Sequence, residues 1–305
     1  MISELTIISG KGGTGKTSVV ASFASLAESK ILVDCDVDAA DLHLVLGPRI
    51  IHREDFIGGK ASRIIAERCI GCGKCAQVCR FDAITLSGPA NDVIAKTYQV
   101  DEFACEGCGL CSHFCPNEAV DFSPRVSGEW YVSETRHGPM VHARLGVAEE
   151  NSGKLVSIIR RRAREIAEEQ RLGLIIIDGS PGIGCPVISS ITGTTMVLVV
   201  TEPTLSGLHD LDRVVELTRH FGIPTAVCVN KSDINPEITA DIRKHCRVKG
   251  LDMLGEIRYD TEVTHAQIAG KSVVEYSHGV AAEDIRTLWN AVNGKLQKIS
   301  DEKKG

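Results

Sequence analysis

The chain reads as a doubly wound, mostly parallel α/β sheet interrupted by a smaller inserted α+β domain. Three observations predict it. Continuous apolar runs such as LIIID (residues 174–178) and TMVLVV (195–200) alternate with amphipathic stretches, as strands do when helices cover both faces of a parallel sheet. A glycine-rich turn, GKGGTGKT (10–17), stands between the first apolar run and the first helical stretch. Eight of the twelve cysteines fall in two tight groups between Cys69 and Cys115, where the alternation breaks off.

The elements follow in order. ELTIIS (4–9) is a short β-branched strand, and a helix runs from the glycine turn to about Ser29. KILVDCD (30–36) is a second strand that ends in acidic residues. Residues 59–122 hold the cysteines and short alternating segments such as DAITL and EAVDF. Two or three strands and a loop follow Pro124. LVSIIRRRAREIAEEQR is an amphipathic helix with Leu155, Ile158, Ile159, Ala163 and Ile166 on one face. TAVCVN (225–230) is a further strand. The last helix carries a stripe of Ile285, Leu288, Trp289, Val292 and Leu296, expected to pack on the sheet because the helix is not notably basic. The expected division is 1–58 and 123–305 for the sheet domain and 59–122 for the insert.

Bulk properties exclude several classes. The 305 residues are 43% hydrophobic, enough for a sizeable core. A net charge of −6 gives no basic surplus for nucleic acid or anionic membranes, and 4% aromatics argue against base-stacking platforms. No apolar run reaches membrane-spanning length, and MISELTIISGKGG lacks the pattern of an export signal. A cytoplasmic protein with no nucleic-acid or membrane partner is expected. In that reducing compartment clustered thiols read as metal ligands, not disulfides.

Residues 10–17 fit G-x-x-x-x-G-K-[ST] between a strand and a helix, the context a phosphate loop requires. Gly10, Gly12, Gly13 and Gly15 let the backbone curl so that its N–H groups, with those of Thr14 and Ser18, face phosphate oxygens at a helix N-terminus. Lys16 would contact the β- and γ-phosphates, and the Thr17 hydroxyl would ligate magnesium. Asp178 closes an apolar strand, as a carboxylate holding magnesium through water does. Asp34, Asp36, Asp38 and Asp41 follow the second strand. Asn230 ends a later strand and offers both a donor and an acceptor to a base edge.

Cys69, Cys72, Cys75 and Cys79 repeat the spacing of Cys105, Cys108, Cys111 and Cys115, 36 residues later. Each group is C-x₂-C-x₂-C-x₃-C, and the second ends in proline, the bacterial ferredoxin pattern. Soft thiolates select iron–sulfur clusters or zinc, but zinc ribbons use paired C-x₂-C knuckles. Two 4Fe–4S clusters are therefore expected. In two-cluster ferredoxins the fourth cysteine of each motif serves the other cluster. That rule pairs Cys69, Cys72 and Cys75 with Cys115, and Cys105, Cys108 and Cys111 with Cys79.

The second lysine of KGGTGK, Lys11, resembles the deviant Walker A motif of the MinD/ParA/Mrp superfamily, which includes the nitrogenase iron protein. DCDVDAADLHLVL and TEPTLSGLHDLDRVVEL extend the likeness over most of the chain. With the cysteine motifs, it resembles the branch that contains an inserted dicluster ferredoxin domain. The resemblance implies ATP and magnesium as ligands, an ATP-promoted homodimer, and Lys11 reaching the partner's nucleotide. It implies Asp36 as the residue orienting the attacking water, Asp34 near magnesium and Asn230 on adenine. Gly182 would approach the γ-phosphate. In GEIRYD (255–260), Arg258 stands where the family usually has proline. The implied function is an ATP-hydrolysing dimeric switch whose nucleotide state gates electron transfer to a partner protein. The alternative is an Mrp-type cluster carrier serving an iron–sulfur acceptor, and a ParA- or MinD-like positioning ATPase is a third reading.

The other cysteines are expected to be structural: Cys35, Cys228 and Cys246 in the core, Cys185 packed behind the turn after Asp178. His137 and His142 are expected at the surface.

Overall fold

The computed structural model describes residues 2–146 and 152–302. Over the described residues it divides into two compact units. One comprises Met1–Glu54, Trp130–Arg144 and Asn151–Gly305, the other Asp55–Glu129 and Leu145–Glu150. The unit that holds the cysteine motifs is thus wider than 59–122.

In chain order the elements are β1 (Ser3–Ser9), α1 (Lys16–Leu26), β2 (Lys30–Asp34), α2 (Leu42–Leu46) and β3 (Arg49–Ile64). Then come α3 (Lys74–Val78), β4 (Ile84–Thr85), β5 (Gln99–Val100), α4 (Leu110–His113), β6 (Val120–Thr135) and β7 (Gly138–Leu145). They continue as α5 (Ser152–Glu169), β8 (Leu174–Pro181), α6 (Cys185–Ile191), β9 (Met196–Thr201), α7 (Leu205–His220) and β10 (Thr225–Asn230). The chain ends with α8 (Pro236–Lys249), β11 (Asp252–Ile257), α9 (Glu262–Ile268), α10 (Val273–Tyr276) and α11 (Val280–Glu302).

The main sheet runs β11-β10-β9-β1-β8-β2-β7-β6-β3, and its neighbours from β11 to β7 pair in parallel. Side chains alternate across the strands, so each face feeds its own core. Leu5, Ile7, Leu32, Ile176 and Leu198 pack with Phe23 of α1 and the buried face of α11. Ile8, Val197, Val199 and Val227 pack with Leu211 and Val214 of α7 and Ile242 of α8. Trp289 of α11 lies 4.9 Å from Phe23, and Ile285, Leu288, Val292 and Leu296 are buried beside it. The stripe of the last helix therefore belongs to the core. No helix among the described residues is long and apolar enough to cross a membrane.

In the second unit, two single-turn helices, α3 and α4, and the antiparallel β4–β5 pair surround a small core. Cys75, Ile84, Val100, Cys111 and Val120 form it.

Two expectations fail. His137 and His142 are not at the surface. His142 lies within β7, 8% exposed, with its Nε2 2.9 Å from the Ser133 hydroxyl and its ring stacked on Tyr131. Burial pushes its pKa down to about 4. His137 sits in the β6–β7 turn against Glu275 and Ser25. GPMVHARL is a sheet strand covered on both faces, so Met140, Val141, His142 and Ala143 are all buried. Cys185, expected to pack, is exposed at the start of α6, whereas Cys35, Cys228 and Cys246 are buried.

Candidate functional site

The carboxyl ends of β1, β8 and β2 lie side by side, the position where parallel α/β sheets bind ligands. Sheet register makes Asp34 and Asp178 direct neighbours, both almost wholly buried. Lys16, 6% exposed at the start of α1, places its ammonium 2.5 Å from Asp178 and 3.7 Å from Asp36. Burial acts to lower the pKa of Lys16, but the adjoining Asp178 carboxylate outweighs it and the net shift is upward. Burial, and then the charge of Asp178, raise Asp34 well above the usual carboxylate range. Burial raises Asp36 to about 6 against the opposing pull of Lys16.

Asp34 accepts hydrogen bonds from the backbone N–H of Asp36 (3.1 Å) and of Leu42 (3.3 Å). It therefore fixes both ends of the loop that carries Asp36 and Asp38. Asp41 occupies the cap of α2 without a side-chain cap bond.

The glycine turn is shaped by its neighbours. Gly15 has φ +85°, and a Cβ there would lie 2.3 Å from the Asn230 amide nitrogen. That amide donates to the Thr14 carbonyl oxygen at 2.8 Å. Asn230, remote in sequence, is thus brought against the phosphate loop. Gly10 approaches α7 so closely that a Cβ would meet Asp210 at 2.3 Å. Thr17 is half-buried, and Ser18 accepts from the Gln267 amide at 2.9 Å. The Thr14 hydroxyl is buried with no hydrogen-bond partner among the described residues, in the middle of the loop. Gly12 and Gly13 have open space where a Cβ would stand, and Gly182, φ +89°, donates its N–H to Ser9.

Sequence reasoning missed Glu202. It accepts Lys231 at 2.5 Å and lies 3.6 Å from Lys11, whose ammonium also donates to Ser206 at 3.2 Å. The signal was available: Glu202 immediately follows β9, at the same carboxyl edge. Arg258 makes a two-pronged contact with Asp284 of α11, which also accepts its backbone N–H. That side chain ties the loop after β11 to α11.

The second unit gathers its eight cysteines around two recesses. One is lined by Cys69, Cys72, Cys75 and Cys115. The other is lined by Cys79, Cys105, Cys108 and Cys111. The fourth cysteine of each motif therefore lies in the other motif's recess. Gly73 and Gly109, at φ 73° and 75°, begin α3 and α4 and turn the motifs around the recesses. The Ala119 N–H points at the Cys115 sulfur at 3.2 Å. Among the described residues no three His, Cys, Asp or Glu side chains converge on a point that would hold one metal ion.

A family model described as the CobQ/CobB/MinD/ParA nucleotide binding domain matches residues 5–273. An uncharacterised protein of Methanocaldococcus jannaschii is 36% identical, over 77% of this chain and 80% of its own. An iron–sulfur cluster carrier protein of Pyrococcus horikoshii is 26% identical, over 43% of this chain and 48% of its own. The structure of the septum site-determining protein MinD with Mg-ADP, also from P. horikoshii, superposes with a TM-score of 0.57 at 17% identity. It covers 96% of each chain. That likeness is one of fold.

Proposed function

The chain belongs to the CobQ/CobB/MinD/ParA family of nucleotide-binding ATPases, and from that premise we propose that it is an ATP-driven carrier of two 4Fe–4S clusters. The observation that carries this reading is the pair of four-cysteine recesses in a chain of that family. Four thiols lining each recess match a 4Fe–4S cluster, which takes one thiolate on each iron. Cys69, Cys72, Cys75 and Cys115 would hold one cluster, and Cys79, Cys105, Cys108 and Cys111 the other. When bound, the clusters supply electron storage or are themselves the cargo. The likeness to an iron–sulfur carrier supports the second role.

At the nucleotide end, Lys16 exchanges Asp178 for phosphate oxygens. The exchange leaves the Asp178 carboxylate, with Thr17 and Asp34, to face magnesium, the ion bound with ADP in the MinD homologue. Asp36 orients the attacking water and, with its raised pKa, is matched to take up its proton near neutral pH. Asn230 reads the base. Lys11 leaves Glu202 and Ser206 to reach the nucleotide of a second copy, so ATP favours a homodimer.

One observation favours a second reading, ATP-gated electron transfer to a partner. The crossed cysteine sets tie each recess to both motifs, so losing a cluster would loosen both, which suits resident centres.

The experiment is anaerobic purification, followed by iron and sulfide analysis and transfer of radiolabelled iron to an apo-acceptor with and without ATP and magnesium. ATP-dependent transfer supports the carrier. Immobile iron with nucleotide-dependent reduction supports the electron-transfer reading. Iron-free protein with zinc in the thiols overturns both.

A further inference from the structure

We propose that Ser62 sets the electron affinity of the site formed by Cys79, Cys105, Cys108 and Cys111. The inference rests on the reading that each foursome holds a 4Fe–4S cluster.

The 36-residue repeat extends upstream of the cysteines. Ser62 stands seven residues before Cys69, and Tyr98 seven residues before Cys105. Each reaches into the recess of the other motif. Ser62, on β3, lines the recess of Cys105, Cys108 and Cys111, and Tyr98 lines that of Cys69, Cys72 and Cys75. Equivalent places in the two sites therefore carry different groups. The Ser62 hydroxyl lies 3.1 Å from the Cys111 sulfur and is 4% exposed. Tyr98 turns its phenol oxygen toward Gly73, 2.9 Å from where a Cβ would stand.

In the free thiol form, Cys111 donates its S–H to the Ser62 oxygen. A ligating cysteine has lost that proton. The contact then persists only if Ser62 turns its O–H toward the sulfur. A donor aimed at a ligating sulfur stabilises the added negative charge of the reduced centre and so raises its potential. Burial strengthens the bond, because no water competes for the sulfur. The Ala119 N–H acts on Cys115, in the other site, so replacing Ser62 perturbs one centre only.

The test is a potentiometric titration of the anaerobic, cluster-loaded chain followed by EPR. Ser62→Ala is compared with the parent, with Ser62→Thr and with Tyr98→Phe. Cys108→Ser, which alters the spectrum of the same centre, identifies its reduction step. Ser62→Ala should lower that step and leave the other unmoved. The expected change is about fivefold in the electron's partition between the centres, which 59 mV per decade converts to about 40 mV. Ser62→Thr should restore the parent value, and Tyr98→Phe should leave this step in place. Full iron content in Ser62→Ala with both steps unchanged, or with both moved together, overturns the proposal. A parent chain that takes up no cluster overturns the reading beneath it instead.

Discussion

Lys16 is expected to be a structural residue as well as a phosphate ligand, and replacing it with methionine separates the two roles. Without nucleotide, its ammonium is the cation held between Asp178, 1% exposed, and Asp36, with fully buried Asp34 alongside. Methionine fills much the same volume and removes only the charge. Breaking a buried pair by deleting one partner typically costs about 3–5 kcal/mol. A separate limit comes from protonation. The chain can neutralise one carboxylate instead, at about 1.4 kcal/mol per pH unit above its ordinary pKa of about 3.9, or about 4 kcal/mol at pH 7. The two estimates agree.

Nucleotide-free Lys16→Met should therefore lose about 4 kcal/mol at pH 7. For a unit of this size that lowers the melting midpoint by roughly 10 °C. Trp289, packed on Phe23 in the same core, reports the transition by fluorescence. The sign with pH is fixed. Asp34 and Asp36 have raised pKa values when folded, so the deficit is smallest near pH 4 and grows as pH rises. Asp178→Asn in the same background should recover part of the loss, giving a coupling well outside additivity. A Lys16→Met chain that melts with the parent at pH 7, or a deficit that does not shrink toward pH 4, would refute the argument.

Three further outcomes follow from the site. Asp36, raised to about 6, contributes stability that is complete below about pH 4 and is lost as pH rises through 6. Asp36→Asn should abolish that slope in nucleotide-free melts while cutting ATP hydrolysis about 100-fold or more. Asn230→Ala removes the bond to the Thr14 carbonyl, and calorimetry should show ATP binding about tenfold weaker, with less preference over GTP. On the proposed cluster reading, Cys79→Ala should strip iron from the centre of Cys105, Cys108 and Cys111 and spare that of Cys69, Cys72 and Cys75. Iron analysis and EPR would expose the opposite pattern, in which each motif keeps its own cluster.

The parallel strands were legible because burial on both faces leaves an unbroken apolar run, as in residues 174–177 and 196–200. The phosphate loop was legible because its glycines and lysine lie consecutively. What the sequence hid was the long strand β3. RIIHREDFIGGKASRI has few inward positions, and its first seven residues are all exposed. A strand that hides one residue in several leaves no period to read. His142 was hidden for the converse reason: a polar residue buried by its strand position and satisfied by Ser133 has no signature of its own. Glu202 was hidden because its meaning lies in two lysines that the chain delivers from positions 11 and 231.

The two units stand differently toward their ligands. The ATPase core is built of aliphatic and aromatic side chains that need nothing bound to pack. The core of the second unit contains Cys75 and Cys111 themselves, bordered by Cys79, Cys105 and Cys115. Its helices have four and five residues, too short to hold without support. If the proposed clusters bind there, the ligands are also the core, and the free energy of metal binding is free energy of folding. Nucleotide removal should therefore leave the ATPase unit folded, whereas a chelator should loosen the cysteine unit first. Limited proteolysis on either side of Cys69–Cys115 reads this directly. Equal protection of that segment with and without chelator would mean that β3 and β6 alone sustain it.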